Sequence, residues 1–465
     1  MAGAYSRDPG YDRLKHAMTE PRPARSGGRA ESQESDAAPD YKRRMILQTV
    51  LNVVLGMSTV LLALILWSIK RHRDPILKIE NPGPLTGLLP SLAGLTHGRV
   101  IAGNSVEVLE NGAFFDAMFE DMRRARSSVH FETFLWKDGV LGQRLVDALL
   151  ERRRAGLEVR VLVDADGGKE MGEQAQRRLR EGGCKFALYH RKQLRDIGKI
   201  NRRDHRKLLI LDGRIGYAGG HCIVDLWLGD ARNDKEVRDV GVRVQGPVVH
   251  DLQSAFSENW VDETGELFVG NHVFPDLEPA GKVGVHVARI KPEGSPPSVK
   301  VLHHLVLCLA RKRLWIQNPY FLPDNDAIEA LVQAAGRGVD VRVMVPSAEA
   351  SDFPSVQHAA HRNFETLLAG GVRIFEYQKT LLHQKMMTID GVWSAIGSAN
   401  FDDRSFEIND EITLGLLDPG LAGQFEAIFQ RDAAVCVELE HASWRKRGLW
   451  HRVKDNALYL FNEQL

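Results

Sequence analysis

The sequence predicts an α/β protein made of two copies of one unit, preceded by a single membrane-spanning helix. Three observations predict it: a motif with the spacing HxKxxxxD occurs twice, strand-like and helix-like segments alternate around both copies, and one long apolar run lies near the N-terminus. The chain has 465 residues, enough for two or three domains with substantial cores. Its formal net charge is zero, which argues against nucleic acid as a partner, because nucleic-acid-binding domains usually carry a basic excess.

The duplication is visible in the spacing of the two motifs. The first copy has His205, Lys207, Asp212, Gly213 and Gly219, and the second has His383, Lys385, Asp390, Gly391 and Gly397 at the same offsets. Upstream, GLEVRVLVD at 156–164 is echoed by GVDVRVMVP at 338–346, and GGCKFALY at 182–189 by GGVRIFEY at 370–377. The repeated unit of roughly 180 residues has the size of a domain and is too long for a solenoid repeat.

The elements around each copy follow from hydrophobic periodicity. In the first half we predict helices over 114–126 and 142–155 and strands over 129–136 and 159–163. In the second half the order recurs, with strands over 314–317 and 341–345 and a helix over 326–335. The stretch from His383 to Glu411 predicts strand, turn and strand, and its alternation places His383 and Lys385 on the same side of one strand.

The N-terminal part divides by composition. Residues 1–44 are polar and predict a disordered tail. Residues 45–69 carry no charge and, at about 1.5 Å per residue, exceed the roughly 30 Å hydrocarbon core, so they predict one transmembrane helix. Basic residues flank both ends, which leaves the orientation open. Residues 70–100 predict a linker, followed by one domain over 101–275 and a second over 276–465.

A histidine and a lysine two residues apart suit chemistry at phosphorus. A neutral imidazole can attack phosphorus or carry a proton, and a neighbouring ammonium group can hold a phosphate oxygen. A single copy could equally be an ordinary hairpin with a solvated histidine and lysine, but the repetition of the pair argues against that alternative. The four cysteines are widely spaced and predict neither a zinc site nor a disulfide framework.

The doubled motif resembles the phospholipase D superfamily, and the wording around it is similar to bacterial cardiolipin synthases. The resemblance rests on FETFLW at 131–136, NPYFLPD at 318–324 and GSANFDDRSFEINDE at 397–411, and covers nearly everything from about residue 100 onwards. It implies two duplicated phospholipase D-like α/β domains with the active site at their interface. The motif itself is shared by lipases, synthases and nucleases, so it indicates the superfamily more strongly than the substrate.

The resemblance also implies roles for individual residues. The catalytic set consists of the six motif residues, His205, Lys207, Asp212, His383, Lys385 and Asp390. By analogy, His205 is the nucleophile and His383 the general acid, with Asp239 supporting the first histidine and Glu411 the second. Phosphate oxygens are expected to contact Lys207, Lys385 and Asn400. Cys222 stands where the first copy should have the counterpart of Asn400, and we interpret Asp212 and Asp390 as structural residues that hold a turn.

The implied activity is that of a cardiolipin synthase, a phosphatidyltransferase that needs neither cofactor nor metal. One phosphatidylglycerol donates its phosphatidyl group to a histidine and releases glycerol, and a second phosphatidylglycerol then attacks. The alternatives are a phospholipase D that admits water, a membrane-tethered phosphodiesterase or nuclease, and a catalytically dead scaffold, against which the intact motifs argue. The expected location is the bacterial inner membrane, through a single pass.

Two further segments carry hypotheses of their own. The first copy has an extra stretch at 191–204, rich in arginine and lysine, that is either a solvated loop or a basic lip for anionic headgroups. Near the C-terminus, WRKRGLWHRV at 444–453 interleaves aromatic and basic residues. It predicts either a helix on a membrane surface or a final helix packed on the domain, and we favour the packed helix.

Overall fold

The computed structural model describes residues 37–69, 77, 79, 83–190, 202–291 and 297–459. It divides into a unit ending at Pro75 and a unit beginning at Ile76. In the first unit, α1 (Ala37–Ile69) is the only helix of the described residues that is long and apolar enough to cross a membrane, and the stretch that passes this test is Lys42–Leu62. The helix carries Pro39 in its first turn, where proline is tolerated.

The disordered tail predicted over residues 1–44 extends too far, because α1 begins at Ala37. Residues 37–44 are helical, because alanine, lysine and arginine favour a helix once an adjoining apolar segment has nucleated one. Residues 1–36, where the rest of the tail was predicted, lie outside the described residues.

The second unit holds a large mixed sheet and the helices that cover it. Its strands are β1 (Val100–Glu110), β2 (Ser128–Thr133), β3 (Glu158–Asp164), β4 (Lys185–Tyr189), β5 (Leu208–Leu211), β6 (Ile215–Gly219), β7 (Val237–Arg238), β8 (Val240–Gln245), β9 (Val283–Ile290), β10 (Arg313–Gln317), β11 (Asp340–Pro346), β12 (Arg373–Tyr377), β13 (Leu381–Leu382), β14 (Met386–Ile389), β15 (Trp393–Gly397), β16 (Glu411–Leu417) and β17 (Cys436–Leu439). Its helices are α2 (Leu89–Leu95), α3 (Ala113–Arg124), α4 (Val140–Arg154), α5 (Glu173–Glu181), α6 (Val249–Thr264), α7 (Ser298–Leu309), α8 (Asn325–Gly336), α9 (Pro354–Ala369), α10 (Pro419–Ala433), α11 (His441–Trp444) and α12 (Leu449–Tyr459).

The strand order displays the duplication. Fifteen strands form one sheet in the order β17-β12-β11-β10-β14-β15-β16-β9-β1-β8-β6-β5-β2-β3-β4. Each half contributes three parallel strands, β2-β3-β4 or β10-β11-β12, and next to them in the sheet antiparallel strands that begin just after the motif lysine. The halves meet where β1 pairs with β9, and one apolar core cluster contains residues of both halves. The predicted α/β class and duplication are confirmed, and the two predicted domains belong to one unit.

The predicted helices and strands are found with ends that differ by a few residues, but the motif residues do not lie on strands. His205 and Lys207 precede β5, and His383 and Lys385 precede β14. The reason is that each histidine pairs its backbone with the opposite half: His205 N–H donates to the carbonyl of Asp410 (2.9 Å), and His383 N–H to that of Arg238 (2.8 Å). The chain joins its own sheet only after the motif lysine.

The predicted linker over 70–100 is wrong for its last part. A short 3-10 turn, Leu85–Gly87, and helix α2 pack on the second half, where Leu85 and Leu92 are buried in its core. The apolar residues of this stretch explain the outcome, because burying leucine side chains outweighs the helix-breaking tendency of the neighbouring Pro and Gly residues.

Candidate active site

The first histidine is held by a carboxylate and an aromatic ring. His205 Nδ1 donates to Glu411 Oε1 at 2.9 Å, and the edge of its ring meets the Phe134 ring with 5.2 Å between centroids. Ser398 donates its hydroxyl to the second oxygen of Glu411. Within the described residues, Nε2 of His205 makes no hydrogen bond. The tautomer with Nδ1–H therefore leaves Nε2 with its lone pair available.

The second histidine has a matching arrangement with different residues. His383 Nδ1 donates to Asp239 Oδ2 at 2.8 Å. The indole of Trp227 donates to the same carboxylate oxygen at 2.9 Å, and its ring packs edge-on against His383 with 5.1 Å between centroids. Asp239 is thus fixed from two sides, and it fixes the histidine in turn.

The pairing of histidines and carboxylates is crossed between the halves, and the predicted pairing is wrong. We expected Asp239 to support His205 and Glu411 to support His383, whereas Glu411 holds His205 and Asp239 holds His383. The backbone explains this result. Strand β13, just before His383, runs parallel to β7, just before Asp239, and the Asp204–Asp410 bridge repeats the arrangement at the other histidine. Each motif is therefore completed by the acid of the other half.

The two motif lysines turn back towards their histidines. Lys207 Nζ donates to the carbonyl of His205 at 2.6 Å, and Lys385 Nζ to that of His383 at 2.9 Å. Lys385 Nζ also lies 3.0 Å from His383 Nε2. The electrostatic influences cross as well, since Lys385 lowers the pKa of His205 and Lys207 lowers the pKa of His383. The two motifs therefore form one site.

Burial sets the protonation of this site. It lowers the pKa of His205 to about 4 and that of His383 to about 3, although Glu411 and Asp239 pull in the opposite direction. Both imidazoles are therefore neutral near pH 7 in the free protein. Burial also lowers the pKa of Lys385 to about 8; Asp239 opposes the shift, and Lys207 adds to it.

The two carboxylates remain ionised. Burial raises the pKa of Asp239, but the influence of His221, His383 and Lys385 outweighs burial and holds it below its usual value. Burial likewise opposes the lowering of the Glu411 pKa, which His205 and Lys207 bring about. Both acids can therefore stabilise a positive charge that develops on their histidines.

The positions that follow the two motifs differ between the halves. Asn400 is buried, and within the described part of the chain its side-chain oxygen accepts no hydrogen bond. At the corresponding place Cys222 is also buried, and its thiol lies 3.6 Å from the carbonyl of Gly220. His221 stacks on Phe114 at 4.0 Å between centroids and contacts the carbonyl of Asn111 through Nε2. His221 is therefore held by ring packing and by contact with the backbone.

The motif aspartates hold backbone rather than substrate. Asp212 accepts hydrogen bonds from the backbone N–H groups of residues 126–128, and Asp390 from those of residues 311–313. Both adopt a positive φ of 55°. They therefore anchor the start of β2 and of β10 against the motif hairpins, a structural role that reaches beyond the turns in which they stand.

Sequence reasoning missed several residues of this site. The sequence patterns assigned no role to Phe134, Trp227 or Ser398. Arg238 was also missed: its guanidinium donates to Asp432 at 3.0 Å in a buried ion pair beside Asp239. The signal for Trp227 and Ser398 was their position beside the motif, but periodicity gives no direction to side chains in irregular loops. The basic stretch predicted at 191–204 lies mostly outside the described residues.

The sequence of this chain is similar to that of known proteins. A family model described as "Cardiolipin synthase, PLD-like domain" matches residues 118–260 and 306–433. A cardiolipin synthase of Staphylococcus aureus (strain N315) is 32% identical over 351 residues, covering 75% of this chain and 71% of the relative. The major cardiolipin synthase of Bacillus subtilis (strain 168) is 31% identical over 371 residues, covering 79% and 76%.

A solved structure shares the fold. The phosphatidylserine synthase of Haemophilus influenzae Rd KW20 superposes with a TM-score of 0.64 at 15% identity, covering 80% of this chain and 98% of that one. Paired HxKxxxxD motifs, the mixed sheet and the match to the family model define a phosphatidyltransferase of the phospholipase D type. Within that class, the chain belongs to the cardiolipin synthase family of phospholipase D-like proteins.

Proposed function

We propose that this enzyme makes cardiolipin, transferring a phosphatidyl group from one phosphatidylglycerol to another through a phosphohistidine. The observation that carries the proposal is the pair of neutral histidines, each backed by a carboxylate from the other half, in one site with two lysines. Such a pair can supply both a nucleophile and a proton carrier at one phosphorus atom.

His205 is the nucleophile in this proposal. Its Nε2 makes no hydrogen bond within the described residues, whereas Nε2 of His383 lies 3.0 Å from the Lys385 ammonium. His205 Nε2 attacks phosphorus, the bond from phosphorus to the glycerol oxygen breaks, and His383 gives that oxygen a proton. The bound phosphodiester anion favours the protonated imidazole of His383 before this step, opposing the effect of burial.

The second half of the reaction reverses the roles. The terminal hydroxyl of the second phosphatidylglycerol gives its proton to His383 and attacks phosphorus, and the bond from phosphorus to His205 breaks. Glu411 stabilises the positive charge on His205 while the adduct exists. The ammonium groups of Lys207 and Lys385 and the amide of Asn400 hold the phosphoryl oxygens as negative charge develops. No step calls on a metal, so activity is expected to survive chelation of divalent cations.

Location follows from the same proposal. With α1 as its membrane span, the enzyme is a single-pass protein of the bacterial inner membrane, where both its substrates and its product are lipids. Deleting residues 1–69 is expected to leave a folded protein that retains activity on detergent-solubilised lipid and acts more weakly on bilayers. Loss of both activities would assign α1 a part in the site.

Mass spectrometry of products from defined lipids tests the proposal. Phosphatidylglycerol as the only lipid is expected to give cardiolipin and free glycerol in equal amounts. Phosphatidic acid as the main product would instead indicate that water is the acceptor. If neither product appears with phosphatidylglycerol and other phosphodiesters are cleaved, the proposed substrate is wrong.

A further inference from the structure

The segment from α11 to α12 has one packed side and one side that is exposed among the residues the structure describes. Trp444 is only 7% exposed and packs on Phe364 of α9, with 5.4 Å between ring centroids. Asp455 is buried and accepts from Arg447 at 2.8 Å. This is the packed final helix that the sequence favoured. The other side of α12 is different, because Leu449, Trp450 and Val453 are 77%, 84% and 48% exposed.

The exposed apolar residues lie on one arc of the helix. At about 100° per residue, positions 449, 450 and 453 fall together, opposite Leu458, which packs against the core. Arg452 and Lys454 border this arc on its two sides. From 441 to 454 the sequence contains three arginines and two lysines and no acidic residue, although the whole chain has a net charge of zero. The segment is therefore a local concentration of positive charge around an exposed tryptophan and leucine.

We propose that this face of α12 docks on the surface of an anionic bilayer. A helix with tryptophan and leucine on one arc and basic residues at its borders lies in the plane of a membrane interface, with its apolar arc among the acyl chains. Each basic residue near such a surface adds attraction to anionic lipids. Docking of a second copy on the same face is disfavoured, because it would bring together two segments with five basic residues each.

A cavity lined by charged residues lies beside α12 and adds to the proposed docking surface. It has a volume of about 610 Å³ and is lined by Arg362, Arg445, Arg447 and Arg452 together with Glu365 and Asp455. Glu365 is 3.9 Å from Arg445 and 3.7 Å from Arg452, so the carboxylate does not form a close pair with either. Four guanidinium groups against two carboxylates leave an excess of positive charge, which suits the phosphate of a lipid headgroup.

Quenching of tryptophan fluorescence by brominated lipids tests the docking. The full chain is reconstituted into vesicles of phosphatidylcholine brominated on its acyl chains, with and without phosphatidylglycerol. With phosphatidylglycerol present, Trp450→Phe is expected to lose a large part of the quenchable emission seen in the unaltered protein. Trp444→Phe is the matched control, because this buried residue of the same segment should contribute little. Any quenching of Trp67 in α1 is common to all variants.

The charge requirement is tested in the same vesicles. Arg452→Glu combined with Lys454→Glu is expected to reduce the Trp450 quench by about half or more, and added salt to reduce it in the unaltered protein. Equal quenching of the unaltered protein and Trp450→Phe would overturn the proposal. So would a change in Trp450 emission that occurs in detergent without lipid and grows with protein concentration, because it would assign the face to a second copy. The readout needs no turnover, so it stands or falls independently of the proposed reaction.

Discussion

The neighbourhoods of the two histidines share a motif and differ in what surrounds Nε2. At His205 an aromatic edge, Phe134, lies beside the ring and Nε2 is free within the described residues. At His383 an ammonium group, Lys385, lies 3.0 Å from Nε2, and Trp227 braces the carboxylate behind the ring. The duplication places the same histidine in both halves, and the neighbouring side chains give the two Nε2 atoms different surroundings.

The contacts of Nδ1 are alike in the two histidines, whereas the contacts of Nε2 differ. Both Nδ1 atoms donate to a buried carboxylate at nearly equal distances, 2.9 and 2.8 Å. The carboxylates therefore hold the two rings in the same way, while the surroundings of the two Nε2 atoms differ. Experiments that address Nδ1 and Nε2 separately can test each part of this statement.

Removing either imidazole has the largest expected effect. His205→Ala and His383→Ala should each reduce turnover by at least about 10³-fold, and the double variant should be no worse, because both residues serve one reaction. Lipid turnover in detergent, with circular dichroism to verify folding, measures this. Near-normal activity in either single variant would contradict a shared site.

A lipid donor with a good leaving group then distinguishes the roles of the two histidines. With a nitrophenyl ester of phosphatidic acid, His383→Ala should form an acid-labile adduct that peptide mapping under alkaline conditions places on residue 205. His205→Ala should form none. An adduct on residue 383 in the His205→Ala protein would exchange the two roles.

Substituting the carboxylates that hold the histidines has the next largest expected effect. In the His383→Ala background, Glu411→Gln should slow the formation of the His205 adduct by about 10- to 100-fold, because the amide no longer holds the imidazole in place. Asp239→Asn in the same background should leave the rate unchanged, since its histidine is already gone. The matched pair tests the pairing itself, and the reverse result would restore the pairing within each half that the sequence suggested.

The comparison of Asn400 with Cys222 predicts a smaller and one-sided effect. Asn400→Ala should reduce kcat by about 10²-fold, if its amide holds a phosphoryl oxygen in the transition state. Cys222→Ala should leave kcat nearly unchanged, because a thiol is a weak donor. Equal losses at the two positions would show that the site is symmetric at phosphate.

The smallest expected effect is a change in the pH profile. Lys385 has a pKa of about 8, so it carries its charge below that pH and loses it above, and kcat/KM should fall on the alkaline side near pH 8. In Lys385→Arg the guanidinium stays charged, so this fall should move to higher pH, while the plateau drops because the planar group fits the site differently. An alkaline limb that does not move would assign it to another group.

Much of this arrangement could be predicted from the sequence because it is periodic or repeated. Matched offsets located His205 and His383, and apolar periodicity located helices such as α4 and α8. Three parallel strands followed by antiparallel strands recur in both halves, which makes the class of fold hard to mistake. The long apolar helix α1 could be predicted from length and composition alone.

What could not be predicted depends on contacts between residues far apart in the chain. The hydrogen bond between His205 and Glu411 joins positions 206 residues apart. The local sequence around either residue does not indicate whether its partner lies in the same half or in the other half. Leu85 and Leu92 were assigned to a linker because their partners lie in the second half of the chain. The packing of Trp444 and the exposure of Trp450 differ for the same reason, since both belong to one aromatic and basic stretch.

The crossing of the two halves has a consequence for synthesis of the enzyme. A nascent chain emerges from its N-terminus, so His205 is made long before Glu411, whereas Asp239 is already present when His383 is made. Since each histidine needs a carboxylate of the other half, we expect the growing polypeptide to be inactive towards lipids until residue 411 has been added. The same reasoning predicts that the two halves made as separate polypeptides would gain activity only by associating.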